Sequence, residues 1–159
     1  MSISDRIVVM RQGVIQQMDE PQKIYDDPDN LFVAKFLGTP PVNVFDGTVR
    51  EGKLLLDGQA VLEVPGAPEG DVTVGIRPEG FIPKADGKLS CQLQAVEVMG
   101  RDISVVAAHP ACQTQTLRAI VSAENLSALN GAKAVFDLKP DKVLLFDPKT
   151  QARIRFAAE

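Results

Sequence analysis

The chain has no tryptophan, one tyrosine, one histidine and two cysteines among its 159 residues. So few aromatic rings leave no stacking platform for single-stranded nucleic acid. Asp and Glu outnumber Lys and Arg by 21 to 17, a net charge of −4, so there is no excess of cations to neutralise phosphates. Both absences exclude nucleic acid as a partner. Cys91 and Cys112 form no CxxC pair and His109 has no second histidine. That argues against a zinc site or a disulfide framework and for a reducing, cytoplasmic compartment. No run approaches the ~20 apolar residues of a membrane span. The charged start Met1-Ser2-Ile3-Ser4-Asp5-Arg6 is not the apolar stretch of a signal peptide, and the chain is expected to be soluble.

What is present is enough apolar material for a core, 45% of residues, with 12 glycines and 11 prolines set between short Val, Ile and Leu runs. That punctuation predicts a mainly β fold. Ile7 to Gln17 reads as two strands around a turn at Gly13, and the run Ile7-Val8-Val9-Met10 predicts burial on both faces. Pro21 to Asp26 suits a short helix opened by proline. Asn30 is placed to cap a second helix over Leu31 to Leu37, stopped by Gly38, with Phe32, Val33, Phe36 and Leu37 as its packing face. Thr39-Pro40-Pro41 continues no helix, and the boundary between two units, 1–38 and 39–159, is set there. Beyond it, short apolar runs from Val44 to Phe156 recur at the spacing of a small β-barrel. One barrel and two smaller ones fit that spacing equally.

No catalytic constellation assembles. Gly47-Thr48-Val49-Arg50-Glu51-Gly52-Lys53 satisfies the phosphate-loop spacing, but Leu54 stands where a magnesium-binding hydroxyl is required, and strands flank it; it is a hairpin turn. Tyr25-Asp26-Asp27-Pro28-Asp29-Asn30 is acidic but lacks the glycine and distal glutamate of a calcium loop. It reads as a solvated connection. His109 sits in a loop without a partner, and Cys91 in an alternating strand is a small buried hydrophobe. Asn125-Leu126-Ser127 matches a glycosylation pattern that carries no meaning in a cytoplasmic chain.

Three stretches taken together are more specific. Ser4 to Met10 with Gly13 to Gln17, then Pro21, Ile24-Tyr25, Pro28, Asn30, Phe32-Val33-Ala34, Phe36, Gly38 and Asn43, resemble the end of the ATPase domain in ATP-binding subunits of sugar-importing ABC transporters, of the maltose or glycerol-3-phosphate type. Val74-Gly75-Ile76-Arg77-Pro78-Glu79 resembles the G-I-R-P-E signature of the transport-associated OB (TOBE) regulatory domain that follows, and Leu144 to Asp147 with Arg153-Ile154 its closing strands. The resemblance covers nearly the whole chain. It implies that residues 1–38 are the C-terminal remnant of an ATPase domain and 39–159 an OB-like, TOBE/MOP-like barrel. ATP and magnesium would then belong to the parent protein, since no phosphate loop, signature motif, catalytic Glu or switch His matches here, and this chain would be no enzyme and hold no cofactor. The partners implied are a second copy of the chain and, through the ATPase domain, the importer's membrane subunits on the cytoplasmic face of the membrane.

Among the matching residues, Gly75 permits close backbone approach beside Ile76, and Pro78 pins the turn that follows. Arg77 and Glu79 are expected to pair and brace that turn, the alternative being contact with another subunit. Gly38, Pro40, Pro41 and Asn43 are the hinge candidates, with Asn43 expected to bond the linker backbone. The alternative function is a barrel that senses a small oxyanion or metabolite, for which Ser122 with Lys133 is the only suggestion in the sequence.

Overall fold

The computed structural model describes residues 6–38, 41–84, 86–114, 116–124 and 133–156. The first strands, β1 (Ile7–Arg11) and β2 (Val14–Asp19), form an antiparallel hairpin. Gln12 and Gly13 take φ of 51° and 80° at its turn, the two successive positive values that a tight two-residue hairpin turn requires. Helix α1 (Pro21–Asp26) opens on its proline, and α2 (Leu31–Phe36) is capped by Asn30, whose Oδ1 accepts the Val33 N–H at 2.9 Å. Gly38 at φ 114° ends this part of the chain in a conformation that other residues rarely adopt.

Two expectations about this unit need correction. The hairpin is buried on one face only: Val9 is sealed against Ile24 and Val33, while Val8 and Met10 are exposed. Of the expected packing face of α2, Val33 is buried with Phe32 and Leu37 packed partly buried beside it, but Phe36 is 56% exposed and Leu31 and Ala34 are buried instead. The helix has only six residues and meets two neighbours at different angles. Leu31 and Ala34 face the barrel, Val33 faces the hairpin, and Phe36 lies off both contacts.

Two sheets follow. The six-stranded one has the order β13-β12-β6-β3-β4-β5, from β3 (Asn43–Arg50), β4 (Lys53–Leu56), β5 (Gln59–Glu63), β6 (Gly70–Ile76), β12 (Val143–Phe146) and β13 (Arg153–Ile154). The five-stranded one has the order β10-β9-β8-β11-β7, from β7 (Phe81–Pro83), β8 (Leu89–Met99), β9 (Asp102–Ala108), β10 (Thr116–Ser122) and β11 (Lys133–Leu138). All pairings are antiparallel. The outer strands β7 and β10 lie against one another, so this sheet nearly closes on itself. One apolar core, including Phe45, Leu54, Val74, Ile103, Leu117 and Phe136, runs between the sheets. This is one barrel-like body rather than two, because a single core is shared by strands from both halves of the sequence.

The chain passes from one sheet to the other through two short 3₁₀ turns, Pro78–Gly80 between β6 and β7 and Pro140–Lys142 between β11 and β12. They lie side by side, joined by Arg77 N–H to Lys142 O (3.1 Å) and Lys139 N–H to Gly80 O (2.9 Å). The helices sit over this double crossover, so it is the place where the two parts of the chain meet.

Candidate functional site: the junction of helices and barrel

Arg77 is the centre of the junction. It leaves β6 where Pro78 turns the chain out of the sheet, and it is 1% exposed. Its Nη1 donates to Ala34 O at 2.8 Å and Leu37 O at 3.0 Å, and its Nη2 to Tyr25 O at 2.6 Å. Tyr25 and Ala34 belong to the last turns of α1 and α2, and Leu37 is the C-cap of α2. Carbonyls at such positions have no partner inside their own helix, and the negative end of the helix dipole favours a cation there. One planar guanidinium therefore caps both helices at once. Its face lies on the Tyr25 ring, 4.0 Å from the centroid, an arrangement that lysine, with a compact ammonium, cannot reproduce. Burial works against the charge, while neighbouring Glu79 and Asp26 favour it.

The expected Arg77–Glu79 pair does not form. Glu79 instead accepts the Tyr25 hydroxyl, at 2.6 and 2.8 Å to its two oxygens, and lies 3.9 Å from Lys142 Nζ, which is itself 3.6 Å from Asp26. Burial first, and then the Glu79 carboxylate, hold the Tyr25 hydroxyl above its usual pKa, so it remains a donor. Two residues apart across a 3₁₀ turn, the Arg77 and Glu79 side chains take different partners, and both of those partners involve Tyr25. Arg77 Nε has no partner among the described residues, a cost tolerated for three short bonds.

A second attachment comes from the far end of the chain. Arg153 Nη1 donates to Asp27 Oδ1 (2.9 Å) and Pro28 O (3.0 Å), and Arg155 Nη2 to the same Asp27 oxygen (2.9 Å). Main-chain bonds run beside them, Leu31 N–H to Gln151 O and Arg153 N–H to Asp29 O, each 3.0 Å. The aspartates of the acidic connection between the helices are solvent-exposed, as expected, and the connection is in addition held by β13 and Arg155. Apolar packing continues the attachment, with Leu31 and Ala34 against Val42, Val44, Leu144 and Phe146. Gly75 makes room here: a Cβ on it would stand 3.2 Å from Val42 Cγ2 and 3.3 Å from Phe146 Cε2. Its neighbour Ile76 is sealed in the core and Pro78 is buried.

Of the hinge candidates, Gly38 and Pro41 are exposed and Pro40 lies outside the described residues. Asn43 does not bond the linker. Its Nδ2 donates to Ile76 O (3.1 Å) and Arg118 O (2.9 Å), and its Oδ1 accepts Arg118 N–H (2.8 Å). At the first position of β3 the amide pairs with the β10 backbone as a strand would, so it staples the two sheets together. The phosphate-loop lookalike is the β3–β4 turn, with Glu51 and Gly52 at φ 53° and 74°; the residues there do not fit a nucleotide site. Ser122 and Lys133 do not meet: Ser122 stands opposite Asp102 and Lys133 opposite Gln92, whose partner on β9 is Ala108, at the other end of that strand from Asp102. Asn125, Leu126 and Ser127 lie outside the described residues.

Sequence reasoning missed Tyr25, Lys142, Arg153 and Arg155 as junction residues. One signal was legible: Asp27-x-Asp29 matches Arg153-x-Arg155 in spacing and opposes it in sign.

Residues 38–81 match the family described as the MalK OB fold domain. The sn-glycerol-3-phosphate import ATP-binding protein UgpC of Ruegeria pomeroyi is 32% identical over 97% of this chain and 43% of its own length. The osmoprotective compounds uptake ATP-binding protein GgtA of Synechocystis is 36% identical over 97% and 46%, and the lactose transport ATP-binding protein LacK of Rhizobium radiobacter 39% over 69% and 34%. The chain thus spans less than half the length of these relatives. Among solved structures, the cytoplasmic molybdate-binding protein ModG overlaps 67% of this chain and 96% of its own at 20% identity and a TM-score of 0.47, a likeness too distant to bear on ligands.

Proposed function

The chain belongs with the ATP-binding subunits of sugar and glycerol-phosphate ABC importers and carries their MalK-type OB fold domain, and from this premise we propose that it is the regulatory and dimerising end of such a subunit. In this reading residues 1–38 complete an ATPase domain and residues 39–159 are the regulatory barrel. The outer face of the first hairpin supports the division. Val8 pairs with Met18 and Met10 with Ile15 across the strands, and all four are 43–59% exposed. A two-stranded ribbon with one bare apolar face is marginal by itself, and the relatives are more than twice as long as the aligned stretch.

The observation that carries the mechanism is the buried Arg77 cap. Because it and the β13 attachment tie both helices to the barrel, movement at the ATPase end carries the barrel with it as one body. Paired barrels then keep two ATPase domains at high effective concentration, so a nucleotide-closed pair re-forms without a new encounter. ATP and magnesium act at groups supplied by the rest of the subunit, and the membrane subunits are engaged there too, at the cytoplasmic face. No described helix is long and apolar enough to cross the membrane.

The test is a replacement: residues 1–159 take the place of the matching region in a complete importer subunit of this family. ATP-dependent uptake with the membrane subunits should persist, and Arg77→Met in the hybrid should leave ATP turnover but reduce uptake. An uptake rate that ignores Arg77→Met would refute rigid coupling. For the paired state, sedimentation at rising concentration should reveal a dimer; a monomer throughout would remove self-association from the proposal.

A further inference from the structure

A cleft of about 690 Å³ opens at one end of the five-stranded sheet, far along β9 from its hairpin with β8, and is lined by Ser90, Cys91, Gln92, His109, Cys112 and Lys133 together with Ala108 and Pro110. Its volume is that of a small-ligand site. Register sets which of these groups share a face. Lys133 on β11 stands opposite Gln92 on β8, and Gln92 opposite Ala108 on β9; directly opposed residues share a face of the sheet, and Ser90, two positions from Gln92, shares it too. His109, one position after Ala108, and Cys91, between Ser90 and Gln92, start on the opposite, core-facing side, where the His109 ring meets Phe45, and they reach the cleft at the end of the sheet.

The imidazole is fixed in a donor state. Its residue is 6% exposed, its ring stands edge-on to Phe45 with centroids 5.9 Å apart, and its Nδ1 accepts the Ala111 N–H at 3.1 Å. Burial lowers its pKa, with exposed Asp57 pulling weakly the other way. A neutral ring that accepts at Nδ1 carries its proton on Nε2. Among the described residues the sealed polar atoms without partners are Arg77 Nε and Arg153 Nε, so Nε2, on a residue that lines the cleft, is not sealed, and no described residue accepts from it.

Ser90, Gln92 and Lys133 likewise make no side-chain hydrogen bond or ion pair to a described residue, and no carboxylate lines the cleft although the chain is acidic overall. The walls between the donors are apolar. The thiols belong to those walls, because burial pushes Cys91 up to about 12 and Cys112 Sγ is committed to Thr116 O at 3.4 Å.

We propose that this cleft binds a small organic anion, whose carboxylate or phosphate oxygens accept from His109 Nε2–H, the Gln92 amide, the Ser90 hydroxyl and the Lys133 ammonium while its body lies on the apolar wall. The proposal stands apart from the importer assignment and uses none of the junction residues. His109 is the only histidine in the chain, so isotopic labelling of histidine gives a single imidazole signal to watch by NMR. The chain is titrated with glycerol 2-phosphate, with succinate, and with sodium chloride at matched ionic strength. A saturable shift of the His109 signals, half-complete at or below about 1 mM, is expected for one organic anion and not for chloride; which one responds identifies the headgroup. Loss of charge-assisted bonds in Gln92→Ala/Lys133→Ala, both at the surface, should weaken that response about tenfold or more. Equal responses to chloride, no saturation by either organic anion in the tens of millimolar, or an unchanged midpoint in the double variant would each overturn the proposal.

Discussion

Replacing Arg77 by methionine keeps the apolar stem and removes the guanidinium, and the structure sets the size of the effect. Three bonds of 2.6–3.0 Å to main-chain carbonyls are lost, and each bond to a charged group is worth roughly 1.5–3 kcal/mol. Against this, the variant no longer buries a cation, which recovers several kcal/mol of desolvation. The uncapped carbonyls of Tyr25, Ala34 and Leu37 then stay buried or draw in water, and a net loss of about 3 kcal/mol follows. With a urea dependence of about 2 kcal/mol per molar, the unfolding midpoint falls by about 1.5 M. Tyr25 is the only tyrosine and there is no tryptophan, so intrinsic fluorescence reports the junction and nothing else. Its emission should change before the far-UV signal of the strands does, because the helices detach first. Arg77→Lys should recover only part of the loss, since an ammonium cannot span three carbonyls and lie flat on the ring. If Arg77→Met unfolds within about 0.5 kcal/mol of the parent chain with unchanged Tyr25 emission, the cap does not hold the helices and the reasoning fails.

Asn43→Ala strips partners from the Arg118 N–H and C=O across the two sheets, and should cost about 2–3 kcal/mol in urea unfolding; a neutral result would mean that water replaces the amide. Gly75→Ala places a methyl 3.2–3.3 Å from Val42 and Phe146 and should cost about 1–2 kcal/mol, with Tyr25 emission shifting as α2 is pushed outward. The buried Cys91 thiol, held up to about 12, should resist alkylation of the native chain at pH 8 and react once urea unfolds it. The same shift makes stability fall with rising pH. The native state keeps its proton where the unfolded thiol has lost it, so this contribution is complete below about pH 8.5 and declines toward pH 12. Cys91→Ala should flatten that decline; an equal slope in the variant would assign it elsewhere, with Tyr25, also raised, as the next group to remove.

Local signals made much of the fold legible. The hairpin turn at Gly13, the proline-led start of α1, the Asn30 cap and the β3–β4 turn each rest on residues within a few positions of one another, and each forms as its chemistry directs. The G-I-R-P-E stretch marked Gly75 and Arg77 as special and was silent about what Arg77 touches. Its partners lie 40–52 positions earlier in the chain, and spacing in sequence says nothing about carbonyls at the ends of distant helices. The nearby Glu79 made a more obvious partner and the wrong one.

The sequence by itself determined the class of the protein: acidic, poor in aromatics, built of short strands broken by glycine and proline, with motifs ordered as in an importer subunit. Those are properties of composition and of residues close along the chain. Only the tertiary structure decided that two crossovers lie side by side beneath the helices, that Asn43 joins two sheets rather than a linker, and that His109, Gln92 and Lys133 share one cleft. Each of those depends on strand order and register, which are set by how a common core closes, and neither quantity is written in any single stretch of sequence.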